Sequence, residues 1–324
     1  MSGGASDPMA APTAESGPRA ARAGAPVRRK GGPLAGESRW AILFLAPALL
    51  GIGLFSLVPT IGSLLISFTS WDLLAAPRWV GLANYASLLA DPLFYQVAGN
   101  TVLFVILYVA LDIACALGLA LALNTQVRGI GLFRTAYFLP VVTSMVAVSI
   151  VWEWIYDPRY GALDALLRLF GAGPVHWLSD PRFALPAIVV VSVWKSLGYD
   201  MILFLAGLQG IPLEYGEAAA VDGASGFVRF WRITLPMLGP TLLLVGILAT
   251  IRAFQTFDAV YMLTQGGPRR TTEVIVYWLF QNAFTYFKLG KASALAYLLF
   301  VVLMALTLFQ WSLRKRWIHQ EEGA

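Results

Sequence analysis

Five ionisable residues interrupt stretches that are otherwise apolar: Asp112, Lys195, Asp200, Arg252 and Asp258. An ionised side chain inside an apolar membrane segment is costly, so such residues usually face a partner or a water-filled cavity. Side chains that meet in a cavity can hydrogen-bond a polar solute, and neighbouring aromatic rings can stack on it. These residue types therefore predict non-covalent recognition of a polar solute.

The spacing of these residues places them on two segments. Along one segment Arg252, Gln255 and Asp258 recur at intervals of three, which predicts one stripe on a helix. On the other segment, Lys195 and Tyr199 lie four residues apart, with Trp194 and Asp200 beside them. We expect these seven residues to line the path of the solute.

Ion pairing is an alternative interpretation of the same charges. Lys195 with Asp200, or Asp112 with Arg252, would form pairs within the helix bundle or with a partner chain. Catalysis has weaker support, because the S-x-x-K spacing of Ser192 and Lys195 lacks the S-D-N and K-T-G motifs of the enzymes that use it. The sequence has two histidines and one cysteine, so no metal site is predicted.

Residues 212–235 form a connector between two apolar runs, and the informative stretch of sequence runs from Glu214 to Pro240. The connector opens with Pro-Leu-Glu, typical of a helix start because the helix dipole stabilises an acid in the first turn. Three alanines after Glu217 favour continuation of this helix. Asp222-Gly223 predicts a turn, since glycine accepts a positive φ, and residues 227–231 predict a second short helix. The connector is therefore predicted to be a helix–turn–helix whose small residues suit close docking.

The composition identifies the elements that hold these residues. The chain has 324 residues, 58% hydrophobic and 13% charged, against about 25% charged in soluble domains. A spanning helix needs about 20 mostly apolar residues. Six candidate spans lie near residues 41–69, 97–124, 133–156, 184–209, 236–263 and 291–313. Pro47 and Pro59 predict a kink in the first span.

The basic residues predict the orientation. They cluster before span 1, in the connections after spans 2 and 4, and after span 6, which predicts that both termini are cytoplasmic. The net charge of +5 therefore reflects the orientation of the chain in the membrane and does not indicate nucleic-acid binding. Residues 1–38 predict a disordered tail because they lack apolar periodicity. A membrane domain is expected over residues 39–316, followed by a short tail at 317–324.

The connector resembles the EAA loop of ATP-binding-cassette importer permeases. The matching positions are Glu217, Ala218, Ala219, Gly223, Ile233, Leu235 and Pro236, and Asp222 and Ala224 fit the carbohydrate branch. Residues 257–268 are similar to the end of span 5 in sugar permeases of the maltose and glycerol-3-phosphate type. The resemblance covers roughly residues 40–315.

The resemblance implies an all-α membrane protein with the type I importer permease fold. It implies six transmembrane helices, with helices 2–6 as the core and a cytoplasmic coupling helix between helices 4 and 5. In that family this loop enters a cleft of a separate ATPase. Glu217 would bond a basic group there, and Gly223 would permit the bend.

The same resemblance implies the partners. These are a second homologous permease, a dimer of ATPase subunits and an extracytoplasmic sugar-binding protein, within the lipid bilayer of a bacterial inner membrane. The substrate would be a sugar, either an oligosaccharide or a sugar or glycerol phosphate. ATP and Mg²⁺ would belong to the ATPase, and no cofactor is expected on this chain. In agreement, no G-x-x-x-x-G-K-[ST] phosphate-binding loop occurs in the sequence.

Three other functions remain as alternatives. An ion- or proton-coupled secondary transporter of a small polar solute would need no ATPase, but it leaves the EAA pattern unexplained. An intramembrane enzyme would need a paired nucleophile and base. A structural membrane anchor would not require polar residues within its spans.

Overall fold

The computed structural model describes residues 35–125, 129–171 and 173–317. The expected tails therefore fall largely outside the described residues. The chain divides into two compact units, residues 1–57 and 58–324. In the first unit, α1 (Ala35–Ile52) continues through Pro47 into a π-helical turn at Gly53–Leu57. This helix begins within the stretch expected to be a tail, and no side chain described in the unit is buried.

The second unit contains one two-stranded sheet and the other described helices. Its first elements are α2 (Val58–Ser67), β1 (Thr69–Ser70), β2 (Arg78–Trp79), α3 (Ala83–Leu89), α4 (Pro92–Leu123), α5 (Ile130–Val142), α6 (Met145–Ile155) and α7 (Ala162–Leu169). They are followed by α8 (Ala184–Gln209), α9 (Leu213–Val221), α10 (Gly226–Arg229), α11 (Leu235–Met237), α12 (Gly239–Phe254), α13 (Asp258–Leu263), α14 (Ile275–Phe280) and α15 (Leu289–Trp317). Two π-helical turns lie at Phe230–Thr234 and Gln281–Thr285. Strands β1 and β2 are antiparallel.

Four helices within the described part of the chain are long and apolar enough to cross a membrane. They cover Ile42–Ser67, Pro92–Leu123, Ala184–Gln209 and Leu289–Ser312. Two further segments are bent helix pairs, α5 with α6 at 102° and Gly226–Met237 with α12 at 69°. The count is six if each bent pair is one span.

The continuous helix expected over residues 133–156 is broken. Pro140 removes a backbone donor near the end of α5, and Thr143 and Ser144 both adopt extended conformations. Before this break, α5 lies directly against α8. A Cβ atom on Gly198 would collide with the backbone of Tyr137 and Phe138, so only glycine allows this approach.

The helix expected over residues 236–263 is also interrupted. Helix α12 ends at Phe254, and α13 begins at Asp258 after three non-helical residues. The expectation that Arg252, Gln255 and Asp258 share one continuous helical stripe is therefore wrong. The residues still converge, because the break turns all three toward the same cavity.

The core consists of apolar clusters at different levels of the bundle. Helix α4 packs against α8 and α12, while α15 packs against α2 and α12. One cluster centres on Phe104, Ile188 and Val260. Another, toward the end of the bundle that carries residues 212–235, includes Phe204 and Leu238. The cavity adjoins the first cluster, since Phe104 and Ala253 belong to both.

Candidate functional site

A cavity of about 540 Å³ lies beside the breaks at residues 143–144 and 255–257. Its polar lining consists of Tyr108, Ser192, Lys195, Ser196, Tyr199, Arg252, Gln255, Thr256 and Asp258. Five of the seven residues expected on the solute path are in this set. Trp194 lies outside the lining, with its ring 5.7 Å from that of Trp152. Asp200 is completely buried behind Arg252.

Arg252 joins two acidic residues from neighbouring helices. Its guanidinium pairs with Asp200 on α8 and lies 3.9 Å from a carboxylate oxygen of Asp112 on α4. Ser196 donates a hydrogen bond to Asp112 at 2.9 Å, and Tyr108 donates one to Ser196 at 2.8 Å. The expected proximity of Asp112 and Arg252 is present, with Asp200 as the direct partner. The network ties α4, α8 and α12 together at the wall of the cavity.

Lys195 does not pair with Asp200, which corrects the other expected ion pair. Its ammonium donates to the backbone carbonyl oxygens of Pro140, Val141 and Thr143 at 3.3, 3.3 and 2.9 Å. The last carbonyl groups of a helix lack partners within the helix, and a basic side chain can satisfy them. Lys195 therefore caps the broken end of α5.

The rest of the lining can bind an uncharged polar solute. The Tyr199 ring lies 5.5 Å from the Arg252 guanidinium in a cation–π contact, and 41% of the tyrosine remains exposed. Gln255 and Asp258 are exposed beside it. An aromatic face, an amide and a carboxylate can stack on a solute and hydrogen-bond it.

Four polar lining residues, Tyr108, Ser192, Ser196 and Thr256, were not among the seven residues expected on the solute path. Tyr108 lies four residues before Asp112, so the helical spacing already places the two on one face. Ser196 follows Lys195 directly. A signal for Thr256 was lacking, because its position depends on the break after Phe254.

Residues 212–235, the coupling segment, form a second candidate site. Helix α9 ends at the C-cap Asp222, and Gly223 follows with φ +78°. Backbone bonds from Gly223 to Ala220 (3.1 Å) and from Ala224 to Ala219 (2.9 Å) close the turn. The Ser225 side chain caps α10 by accepting a bond from Val228 N.

The coupling segment exposes one surface and anchors the other. No residue of α9 or α10 is buried, and Glu217 and Ala218 are exposed. Phe230 and Leu235 pack against the cluster that contains Phe204 and Leu238. Ala116 of α4 and Val245 of α12 belong to that same cluster. The segment is therefore fixed to the helices that carry the polar network of the cavity.

Residues 114–317 match the family model described as "Binding-protein-dependent transport system inner membrane component". Among similar proteins is the probable ABC transporter permease protein YesP of Bacillus subtilis, with 36% identity over 92% of this chain and 97% of YesP. The trehalose/maltose transport system permease protein MalF of Thermococcus litoralis has 37% identity over 84% of this chain and 92% of its own length. The sulfoquinovosyl glycerol transport system permease protein SmoG of Agrobacterium fabrum has 34% identity over 84% and 89%.

The fold also matches a solved structure. A chain of a bacterial ABC transporter, involved in the import of the acidic polysaccharide alginate, superposes with a TM-score of 0.77. The two share 23% identity, and the match covers 88% of this chain and 98% of the other. Together with the apolar helices, the family match makes this chain a multi-pass membrane protein and a transport subunit, not an enzyme. The chain belongs to the family of binding-protein-dependent transport system inner membrane components, the permease subunits of ABC transporters.

Proposed function

We propose that this chain is the permease subunit of an ATP-driven sugar importer. The sugar would cross the membrane through the cavity, and movement of a separate ATPase would act on the coupling segment. The observation that carries this proposal is the anchoring of an exposed segment to the helices around the cavity. A shift of Phe230 and Leu235 would move the packed ends of α4, α8 and α12, because close-packed interiors transmit displacement.

The sugar would be held by a few lining residues. Tyr199 would stack on the apolar face of a sugar ring, while Gln255 and Asp258 would hydrogen-bond its hydroxyl groups. Three charged residues would hold the helices in place around the path. Lys195 donates to carbonyl oxygens at the end of α5, and Arg252 pairs with Asp200. Trp194 would support the wall through Trp152 and not touch the sugar.

A separate ATPase would supply the energy. Glu217 and the small residues Ala218, Ala219 and Ala224 would enter a cleft of that ATPase, with Asp222 and Gly223 forming the bend. Ile233, Leu235 and Pro236 would join the bend to α12. ATP and Mg²⁺ would be held by the ATPase dimer, while a second, homologous permease and an external sugar-binding protein would complete the complex.

The coupling segment would lie in the cytoplasm together with both termini, as the distribution of Lys and Arg indicates. A reporter that is active only outside the cytoplasm should be silent when inserted within residues 215–226. The same reporter should be active within residues 160–180. The reverse pattern would overturn the proposed orientation.

Charge reversal at Glu217 tests the coupling role. Glu217→Lys should leave insertion normal but abolish sugar uptake and the stimulation of the ATPase by sugar-loaded binding protein, because it would repel the basic partner. Glu214→Lys makes the same charge change in the first turn of the same helix, and it should retain most uptake. Full uptake by the Glu217→Lys complex would refute the assignment.

A further inference from the structure

The charged side chains around the cavity differ in how many hydrogen bonds and ion pairs they already make with the protein. The Lys195 ammonium has three hydrogens to donate, and three carbonyl oxygens of the α5 end lie 2.9–3.3 Å from it. These carbonyls also carry the negative end of the helix dipole. Lys195 is therefore fully engaged as a helix cap, with no hydrogen left for a solute.

The positive charge of Arg252 is similarly engaged. The guanidinium pairs with Asp200 and faces Asp112, and both acids are 0% exposed. One face of the guanidinium is also covered by the Tyr199 ring. An Arg that already pairs with one carboxylate and faces a second offers an entering anion no net positive charge.

Asp258 is the opposite case. It lines the cavity at the start of α13 and is exposed. Within residues 35–125, 129–171 and 173–317, its carboxylate has no hydrogen bond and no ion pair within 4 Å, and the cation that attracts it from farther away is the Lys195 ammonium, which is bonded to the α5 carbonyl groups. An ionised carboxylate has about four lone-pair sites and no donor, so it accepts hydrogen bonds from hydroxyl groups and repels anions.

We infer that this cavity takes uncharged, hydroxyl-rich sugars and disfavours sugars that carry a carboxylate, phosphate or sulfonate, with Asp258 as the residue that sets this specificity. The inference rests on the proposed function and narrows its substrate class. An acidic sugar would lose hydration on entry, find no free cation and face Asp258. An uncharged sugar would donate hydroxyl hydrogens to Asp258 and use the Gln255 amide.

Pairs of sugars matched in size but not in charge test this inference. The full chain, assembled with its partner permease and ATPase in lipid nanodiscs, would be titrated with maltose and maltobionate, and with glucose and glucuronate. The uncharged member of a pair should bind at least about tenfold more tightly. Asp258→Asn should weaken binding of the uncharged sugar about tenfold, since a charge-assisted bond is lost, and should reduce the preference. Glu153→Gln, an exposed carboxyl outside this cavity, is the matched control and should keep the preference.

The other outcomes separate this inference from the proposed function. Tighter binding of the acidic members, or an unchanged preference in Asp258→Asn, would overturn the inference alone. A selective loss of acidic-sugar binding in Lys195→Met would do the same, because Lys195 would then serve as an anion site. Failure of every sugar, acidic or neutral, to bind the assembled wild-type complex would reject the sugar cavity itself.

Discussion

The two ends of the helix bundle satisfy their polar groups in different ways. At the end opposite the coupling segment, Asn84 donates to the backbone oxygens of Ser67 and Thr69 at 2.8 and 2.9 Å. Asn100 similarly donates to the backbone oxygens of Arg270 and Glu273 at 2.8 and 3.0 Å. Half-buried asparagine side chains thus tie the connections of that end to one another.

The coupling segment has little of this internal bonding. The contact between its two helices is a long hydrogen bond, 3.4 Å, from Arg229 to the Gly216 carbonyl oxygen. Large apolar side chains are exposed at both ends, for example Leu213 (80%) and Val221 (89%) in the coupling segment and Leu74 (93%) and Leu169 (81%) at the opposite end. The two ends therefore differ in internal hydrogen bonding, and the less bonded end carries the coupling segment.

Disrupting the turn of the coupling segment should give the largest effect. Gly223→Val should abolish uptake, because a β-branched residue rarely adopts the positive φ of this position. Uptake and ATPase stimulation, measured at equal expression, should fail together. Gly226→Val introduces the same side chain three residues later, where φ is not positive and a Cβ would have open space. If both variants transported normally, the turn would have no coupling role.

A mutation at the opposite end should affect stability instead of coupling. Asp164 is buried and accepts bonds from Val175 N (3.1 Å) and Trp177 Nε1 (3.0 Å). Asp164→Ala should destabilise the protein by about 1.5–3 kcal/mol, as expected for lost bonds to a charged group. Thermal unfolding would measure this loss, while ATPase stimulation in the folded fraction should persist. Glu153→Ala, at an exposed carboxyl, should unfold like the wild type. Loss of ATPase stimulation in folded Asp164→Ala would mean that the opposite end also takes part in coupling.

Mutations in the cavity should lower sugar uptake partially. Their effect should be smaller than that of Gly223→Val, which should abolish uptake. Gln255→Ala should lower uptake by roughly two- to tenfold, the loss expected for one hydrogen bond. ATPase stimulation should partly survive, because the coupling segment is intact. Trp194→Ala, outside the cavity lining, should change uptake kinetics less. Equal defects in both variants would indicate a packing role for Gln255 in place of sugar contact.

The smallest expected effect concerns an ion pair at the opposite end. Lys291 donates to Asp91 at 3.0 Å, and this bond is the largest cause that lowers the pKa of Asp91. A lowered folded-state pKa stabilises the protein above the unfolded-state pKa, and this contribution disappears as pH falls through the folded-state value. Lys291→Met should cost about 0.5–1 kcal/mol at neutral pH. The difference from wild type should shrink as the pH falls through the lowered folded-state pKa of Asp91 and vanish below it. A difference that is constant with pH would mean that the ion pair is not its source.

The sequence predicted the elements better than their breaks. Apolar length predicted the helix over Ala184–Gln209 with the bounds that the structure has. The turn at Gly223 was also predictable, because glycine next to aspartate is a local signal. The break at Thr143 and Ser144 was not predicted. Pro140 is a local signal for a break, but the carbonyl groups at the end of α5 are satisfied by Lys195 from another helix. Local periodicity carries no information about such a distant donor.

The sequence predicted which charged residues need partners in the cavity, but not which residues pair with each other. The sequence identified Asp112, Lys195, Asp200 and Arg252 as residues that need partners, but two pairings were compatible with it. The choice depends on the rotation of α4, α8 and α12 about one another. In the structure Arg252 lies between both acids, and Lys195 faces α5.

Site-specific cross-linking tests most directly whether the coupling segment is the ATPase-docking surface. A cysteine would be placed at Glu217 or, as the control, at the exposed Arg159 of the opposite end, in a Cys115→Ser background. A short thiol–amine cross-linker would then be applied to the complete transporter. If the coupling segment docks on the ATPase, Glu217→Cys should give a covalent product with the ATPase and Arg159→Cys should give none. A product from Arg159→Cys alone, with the complex intact, would contradict this docking.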